Sequence, residues 1–165
     1  MPEERTLQQA RAARRKGRSP STQAGEFVRE EIEHIREGKH GARSVKQAIA
    51  IGLSKARRAG VPLKPPRRGV SDETQEHASR DYKRGQTTSH RKPAPRRSRA
   101  VLKALKKEDR SAASHIALSR QAHASSKRRG SADRKRAAHK AVLTKGVQQL
   151  RRAAAKAART RSKAA

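Results

Sequence analysis

Between Ser44 and Gly60 the chain carries its strongest structural signal. Val45, Ala48, Ile49, Gly52, Leu53 and Ala56 recur at i, i+3, i+4, i+7, i+8 and i+11, which lines one side of an α-helix. Ser44 and Gln47 have the spacing of a capping box, and Gly60 followed by Pro62 ends the run. A helix this short is marginal in water by itself, so its stripe needs cover from another segment or a partner.

The segment just upstream can supply that cover. GEFVREEIEHIREG sets Val28, Ile32 and Ile35 at i, i+4 and i+7 with Phe27 beside them, and Gly38 suits the left-handed residue that ends a helix. The spacing predicts helices over 26–37 and 44–59, joined in a hairpin that occupies residues 25–60. Glu26, Glu30, Glu31, Glu33 and Glu37 make the first helix acidic. It is expected to lie beside the basic ends of the second, through mostly exposed ion pairs worth about 0–1 kcal/mol each. The apolar positions are few, and a homodimer through the 25–60 hairpin would enlarge the core.

Elsewhere the pattern thins. Residues 1–24 read as a basic polar arm, although Ser19 before Pro20 also suits a helix start. Residues 61–97, with Pro62, Pro65, Pro66, Pro93 and Pro95, read as a flexible linker, with a short helix near Asp72–Lys83 capped by Ser71. In 98–127 the pattern returns as a second, weaker hairpin. Val101, Leu102 and Leu105 share a face, and setting Ser111 on Ser44 places Ile116 over Ile49. Chance resemblance of two alanine-rich helices accounts for that match as well as an internal repeat does. In the tail, 128–165, Leu143, Val147, Leu150, Ala154 and Ala157 alternate in steps of four and three, which predicts a long helix-prone tract, partly disordered in isolation. The fold class expected is therefore mostly α: small helical hairpins, a Pro-rich linker and a long basic tail.

Charge decides the partner class. Leu, Ile, Val and Phe together number 21 of 165 residues, too few for a core spanning the chain, while the net charge is +30. That charge is unevenly spread: residues 1–60 hold 14 Lys/Arg against 7 Asp/Glu, whereas 91–165 hold 24 against 3. A segment so one-sided repels itself until a polyanion neutralises it. Lys and Arg contacts to phosphate release counterions and need no base reading. Phe27 and Tyr82 are the only large aromatics, too few for the stacking platforms of single-strand binders. Double-stranded DNA is therefore the first expected partner and RNA the second. A protein-interaction module using the acidic helix 26–37 is a third reading.

The candidate contacts are Lys39, Arg43, Lys46, Lys55, Arg57 and Arg58 around the hairpin, which would position the backbone. Arg96, Arg97, Arg99, Lys127, Arg128, Arg129, Arg134, Lys135 and Arg136 beyond the linker would clamp it. Ser44, Lys46 and Gln47 also stand where a helix-turn-helix would read bases, but the Gly38–Arg43 turn is long for that motif.

Other chemistry finds little support. The absence of cysteine excludes disulfides and thiolate sites. No apolar run is long enough for a membrane span, and no apolar core follows the early arginines as a secretory signal requires. A cytoplasmic, nucleoid-located protein is expected. Neither glycine-rich nucleotide signature occurs. Asp109, Ser111 and His115 offer a catalytic set only on paper, and no enzyme activity and no cofactor are expected. His34, His40, His77, His90, His115, His123 and His139 are scattered, with no i, i+4 pair and no acidic neighbour on a shared face, so no metal site is expected.

Residues 25–60 and 98–122 resemble a family of short, basic bacterial proteins that are functionally uncharacterised, some of them labelled plasmid-stabilisation or DNA-binding proteins. The run KHGARS…KQAIAIGLS…ARRAG at 39–60 carries most of the likeness. In the second motif, Asp109 and Ser111 stand where that family tends to have glycine. The resemblance implies a bacterial origin and, through those labels, a role on DNA.

Overall fold

The structure, a computed structural model, describes residues 2–67, 69–87 and 94–162; His90 and Pro93 lie outside them. The fold is mostly α, and no strand occurs among the described residues. The helices are α1 (Glu4–Arg15), α2 (Pro20–Arg36), α3 (Val45–Arg58), α4 (Asp72–Gln86), α5 (Pro95–Lys106), α6 (His115–Arg128) and α7 (Gly130–Ser162), with a 3-10 turn at Ser111–Ala113. Two compact units are present, Met1–Gln121 and Ala122–Ala165.

The hairpin forms as its capping chemistry requires. Ser44 is extended, and its Oγ accepts the Gln47 N–H at 3.2 Å. Gln47 Oε1 reaches back to the N–H of Arg43 at 2.7 Å, one residue earlier than in the usual box. Gly38 and Gly60 end α2 and α3 with φ of 78° and 86°. α2 begins before its apolar stripe does. Ser19 accepts the Thr22 N–H and Pro20 opens the first turn, which brings Gln23 and Ala24 into the core beside Phe27.

Gly52 sets the closeness of the α2–α3 crossing. A Cβ there would stand 2.7 Å from the Val28 Cα, so the gap in the stripe is the contact itself. One core cluster gathers Ile32, Ile35, Ala42 and Ala48 with Ala112 and Ala113. The other gathers Ala10, Ala24, Phe27, Ala56 and Val61, with Leu7, Leu53 and Leu63 packed against it. The α3 stripe is thus covered within one chain.

Three segments differ from the sequence reading. The expected polar arm, residues 1–24, contains α1, which packs on α2 with Thr6 and Ala10 buried. One buried threonine and one buried alanine were too little to register as a period. The expected linker, 61–97, contains α4, whose cap is Ser71 as anticipated. α4 packs on α3: Asp81 Oδ2 accepts the Ser54 hydroxyl at 2.5 Å, and a Cβ on Gly85 would lie 1.8 Å from the Arg57 carbonyl oxygen. In α6 the capping residue is Ser114, not Ser111, so matching helix starts does not keep Ile49 over Ile116.

The turn after α5 docks on the hairpin loop. Gly41 N–H donates to the Leu105 carbonyl at 2.9 Å, Ala42 N–H to that of Asp109 at 3.0 Å, and Arg36 Nε to that of Ala113 at 3.0 Å. A Cβ on Gly41 would fall 1.9 Å from the Glu108 carbonyl oxygen. In the second unit the helix-prone tail is helical through Ser162, and it is broken at Gly146, with φ 72° and ψ 156°. The break falls between Leu143 and Val147, so the stripe inferred across them is not one helical face. Both side chains are exposed.

Candidate nucleic-acid interface

The cations singled out around the hairpin separate into two groups. Lys55 is held by carboxylates, with Nζ 2.6 Å from Glu31 Oε2 and 3.4 Å from Glu30 Oε1. Arg57 is buried, and its Nε donates to the Leu63 carbonyl at 3.2 Å; desolvation lowers its pKa. Lys39 is clamped between Glu3 and Glu37, each at 3.0 Å, and its pKa is raised, mainly by Glu3. Arg58 stands 3.7 Å from Asp81 and donates to the Ser54 carbonyl. These four serve the fold or neighbouring carboxylates. Arg43 and Lys46, exposed at the start of α3, carry their charge to solvent.

Arg96, Arg97 and Arg99 are exposed on α5. Lys127, Arg128, Arg129, Arg134, Lys135 and Arg136 are exposed on the end of α6 and the start of α7, where Arg136 pairs with Asp133. That pair is the only ion pair within 94–162 among the described residues.

The structure adds cations that periodicity could not select. Arg11, Arg14, Arg15, Lys16 and Arg18 are exposed around the end of α1. Arg36, Arg110 and His115 line an open notch beside Ser114, at the start of α6, where the helix dipole favours an anion. Asp109 helps shape this turn. Hydrogen bonds from the Ser111 hydroxyl, then from the backbone of Arg110 and Ser111, hold its carboxyl below the usual range. That is turn chemistry, in which Ser111 and Arg110 donate to Asp109.

The acidic helix is arranged differently from the exposed pairing that its sequence suggested. Glu30 and Glu31 face inward at 3% and 1% exposure, beneath Lys55. His40 is buried, with Nε2 3.1 Å from Glu31 Oε1 and Nδ1 3.0 Å from the Gly41 carbonyl oxygen. His34 Nε2 lies 2.8 Å from Glu3 Oε1, and Glu3 N–H donates to Glu30 Oε2 at 3.2 Å. Hydrogen bonds from His34 and then Lys39 hold the Glu3 carboxyl down at about 2. Glu31, His34 and His40 thus converge, which corrects the reading that no histidine has an acidic neighbour on its face. The signal was present as Glu31-x-x-His34, an i, i+3 pair, followed by His40 just past the turn.

Residues 18–68, covering α2, α3 and the segment after them, match a family of unknown function (DUF6496). No curated protein and no solved structure matches the chain. The match falls on the hairpin that carried the resemblance to an uncharacterised family.

Proposed function

We propose that this is a non-enzymatic protein that binds duplex DNA through its phosphates, largely without regard to sequence, in the manner of nucleoid-associated or plasmid-maintenance proteins. One observation carries the reading. Residues 91–165 hold 24 Lys/Arg against 3 Asp/Glu, and among the described residues of 94–162 every Lys and Arg is exposed, with a single ion pair. In the first unit Glu30 and Glu31 are buried against Lys55, and Glu3 is held by His34 and Lys39. A helical surface of that kind gains free energy by releasing counterions from a polyanion.

Arg43, Lys46 and the Arg36–Arg110 notch would contact the backbone from the first unit. Arg96, Arg97 and Arg99 on α5, with the α6–α7 cations, would supply the non-specific affinity. If about 6–10 phosphates are engaged, affinity falls ~10³–10⁵-fold between 50 and 200 mM salt. With Glu30 and Glu31 turned inward, the acidic-helix interaction module has only the outer carboxylates of α2 to offer a partner. Among the described residues no helix is long and apolar enough to cross a membrane.

The test is competition at fixed salt between duplex DNA and structured RNA for the full chain. Preferential retention of DNA supports the proposal. Preferential retention of RNA replaces it with an RNA- or ribosome-associated role.

A further inference from the structure

We propose that Glu31, His34 and His40 form a binding site for a divalent transition-metal ion of the zinc type, one that pins the turn after α2 and the N-terminal segment to the hairpin. The inference is independent of the DNA reading. Each of the three residues offers a donor atom within 4.8 Å of the others. Metal–donor bonds of about 2.0–2.2 Å would bring tetrahedral donors to roughly 3.3 Å apart, a difference that side-chain rotation can close.

Both oxygens of Glu31 are shielded from water and lack a well-directed hydrogen bond, although Lys55 and His40 stand at ion-pair distance. A carboxylate that is desolvated and poorly hydrogen-bonded is costly, and a bound cation satisfies it directly.

The tautomer of His40 points to the same site. A carbonyl oxygen only accepts, so the contact with Gly41 O places the proton on Nδ1. In a neutral ring Nε2 then presents a lone pair to Glu31 Oε1 at 3.1 Å. Two lone pairs at that distance repel unless a proton or a metal ion lies between them. An imidazole whose other nitrogen is anchored on a backbone carbonyl is the usual arrangement of a histidine ligand.

His34 supplies the third donor and a matching anchor. Glu3 Oε1 engages its Nε2 at 2.8 Å, as carboxylates orient metal-bound imidazoles, which leaves Nδ1 as the donor. The His34 and His40 rings stand edge to face with centroids 6.2 Å apart. Glu31 and His34 have the Glu-x-x-His spacing that places a carboxylate and an imidazole on one helical face in metal-binding bundles. His34 is 13% exposed, which gives an ion a route from solvent. Lys55, repelled by the ion, has Glu30 within reach as an alternative partner.

The experiment is titration of the chelator-stripped full chain with Co²⁺, read by visible absorption, followed by displacement with Zn²⁺. A single Co²⁺ per chain with the intense bands of a four- or five-coordinate ion is expected, together with a higher melting temperature in Zn²⁺. His40→Gln and His34→Gln should each abolish the bands, and Glu3→Gln should weaken affinity 10–100-fold. A His123→Gln/His139→Gln variant should leave both unchanged. Circular dichroism checks folding, and should His40→Gln not fold, the more exposed His34→Gln carries the test. Absence of a stoichiometric band, or bands untouched by His34→Gln, would overturn the site and leave His40 and Glu31 as a buried structural contact.

Discussion

Glu31 on α2 and Lys55 on α3 meet at 2.6 Å, with side chains 1% and 16% exposed, beneath the turn that joins their helices. A charge buried this deeply is tolerable only while its counter-charge remains. Lys55→Met should destabilise the chain by about 3–5 kcal/mol, the cost of stranding a buried carboxylate. Chemical denaturation measures it. The same variant, assayed where it is still folded, should bind duplex DNA with an unchanged salt slope, because Lys55 points inward. A stable variant that binds DNA poorly would move Lys55 back to the interface.

Gly52 gives a steric prediction. With 2.7 Å between its missing Cβ and the Val28 backbone, Gly52→Ala must part the helices despite alanine's better helix propensity. A loss of about 1–3 kcal/mol is expected, typical of overpacking. Equal or greater stability by thermal denaturation would show that the helices do not cross there.

The pH dependence follows from Glu3. Its carboxyl titrates at about 2 in the folded chain against an ordinary 4.5, because His34 and Lys39 donate to its ionised form. A pKa depressed by folding means that the unfolded chain binds the extra proton. The stabilisation is therefore complete above about pH 4.5 and is lost as the pH falls toward 2. Melting temperatures of the wild type and Glu3→Gln should differ by a constant amount above that window and converge within it. Parallel curves down to the lowest pH would contradict the contact.

How much of this was legible beforehand depended on the size of the signal. The α3 stripe, Ser44 with Gln47, and the left-handed glycines at 38 and 60 each fix local backbone geometry, so the hairpin could be read directly. α1 could not, and of α4 only the Ser71-capped helix was legible, not its packing on α3. α1 buries Thr6 and Ala10 and α4 only Ala78, and one buried alanine per helix is invisible against an alanine-rich background. Their docking depends on tertiary contacts such as Gly85 against Arg57. The cationic residues were recognisable as a class, but burial alone distinguished Lys55 and Arg57 from Arg43 and Lys46. The convergence of Glu31, His34 and His40 needed the turn to fold back, although Glu31-x-x-His34 announced half of it.

Arg43 and Lys46 supply the complementary prediction at the interface. Neutralising both as Arg43→Gln/Lys46→Gln should leave stability within about 0.5 kcal/mol, as for surface changes that break no buried contact. It should weaken binding to every duplex alike and reduce the magnitude of the salt slope by roughly 2. Loss of affinity for one sequence only would instead mark α3 as a base-reading helix.

The most direct measurement is the affinity of the full chain for a duplex of arbitrary sequence across a salt series. The account predicts tight binding at low salt, a linear fall of log K with log salt, and a slope that becomes shallower when Arg96, Arg97 and Arg99 are changed together to glutamine. No binding at low salt, or binding indifferent to salt, would contradict it.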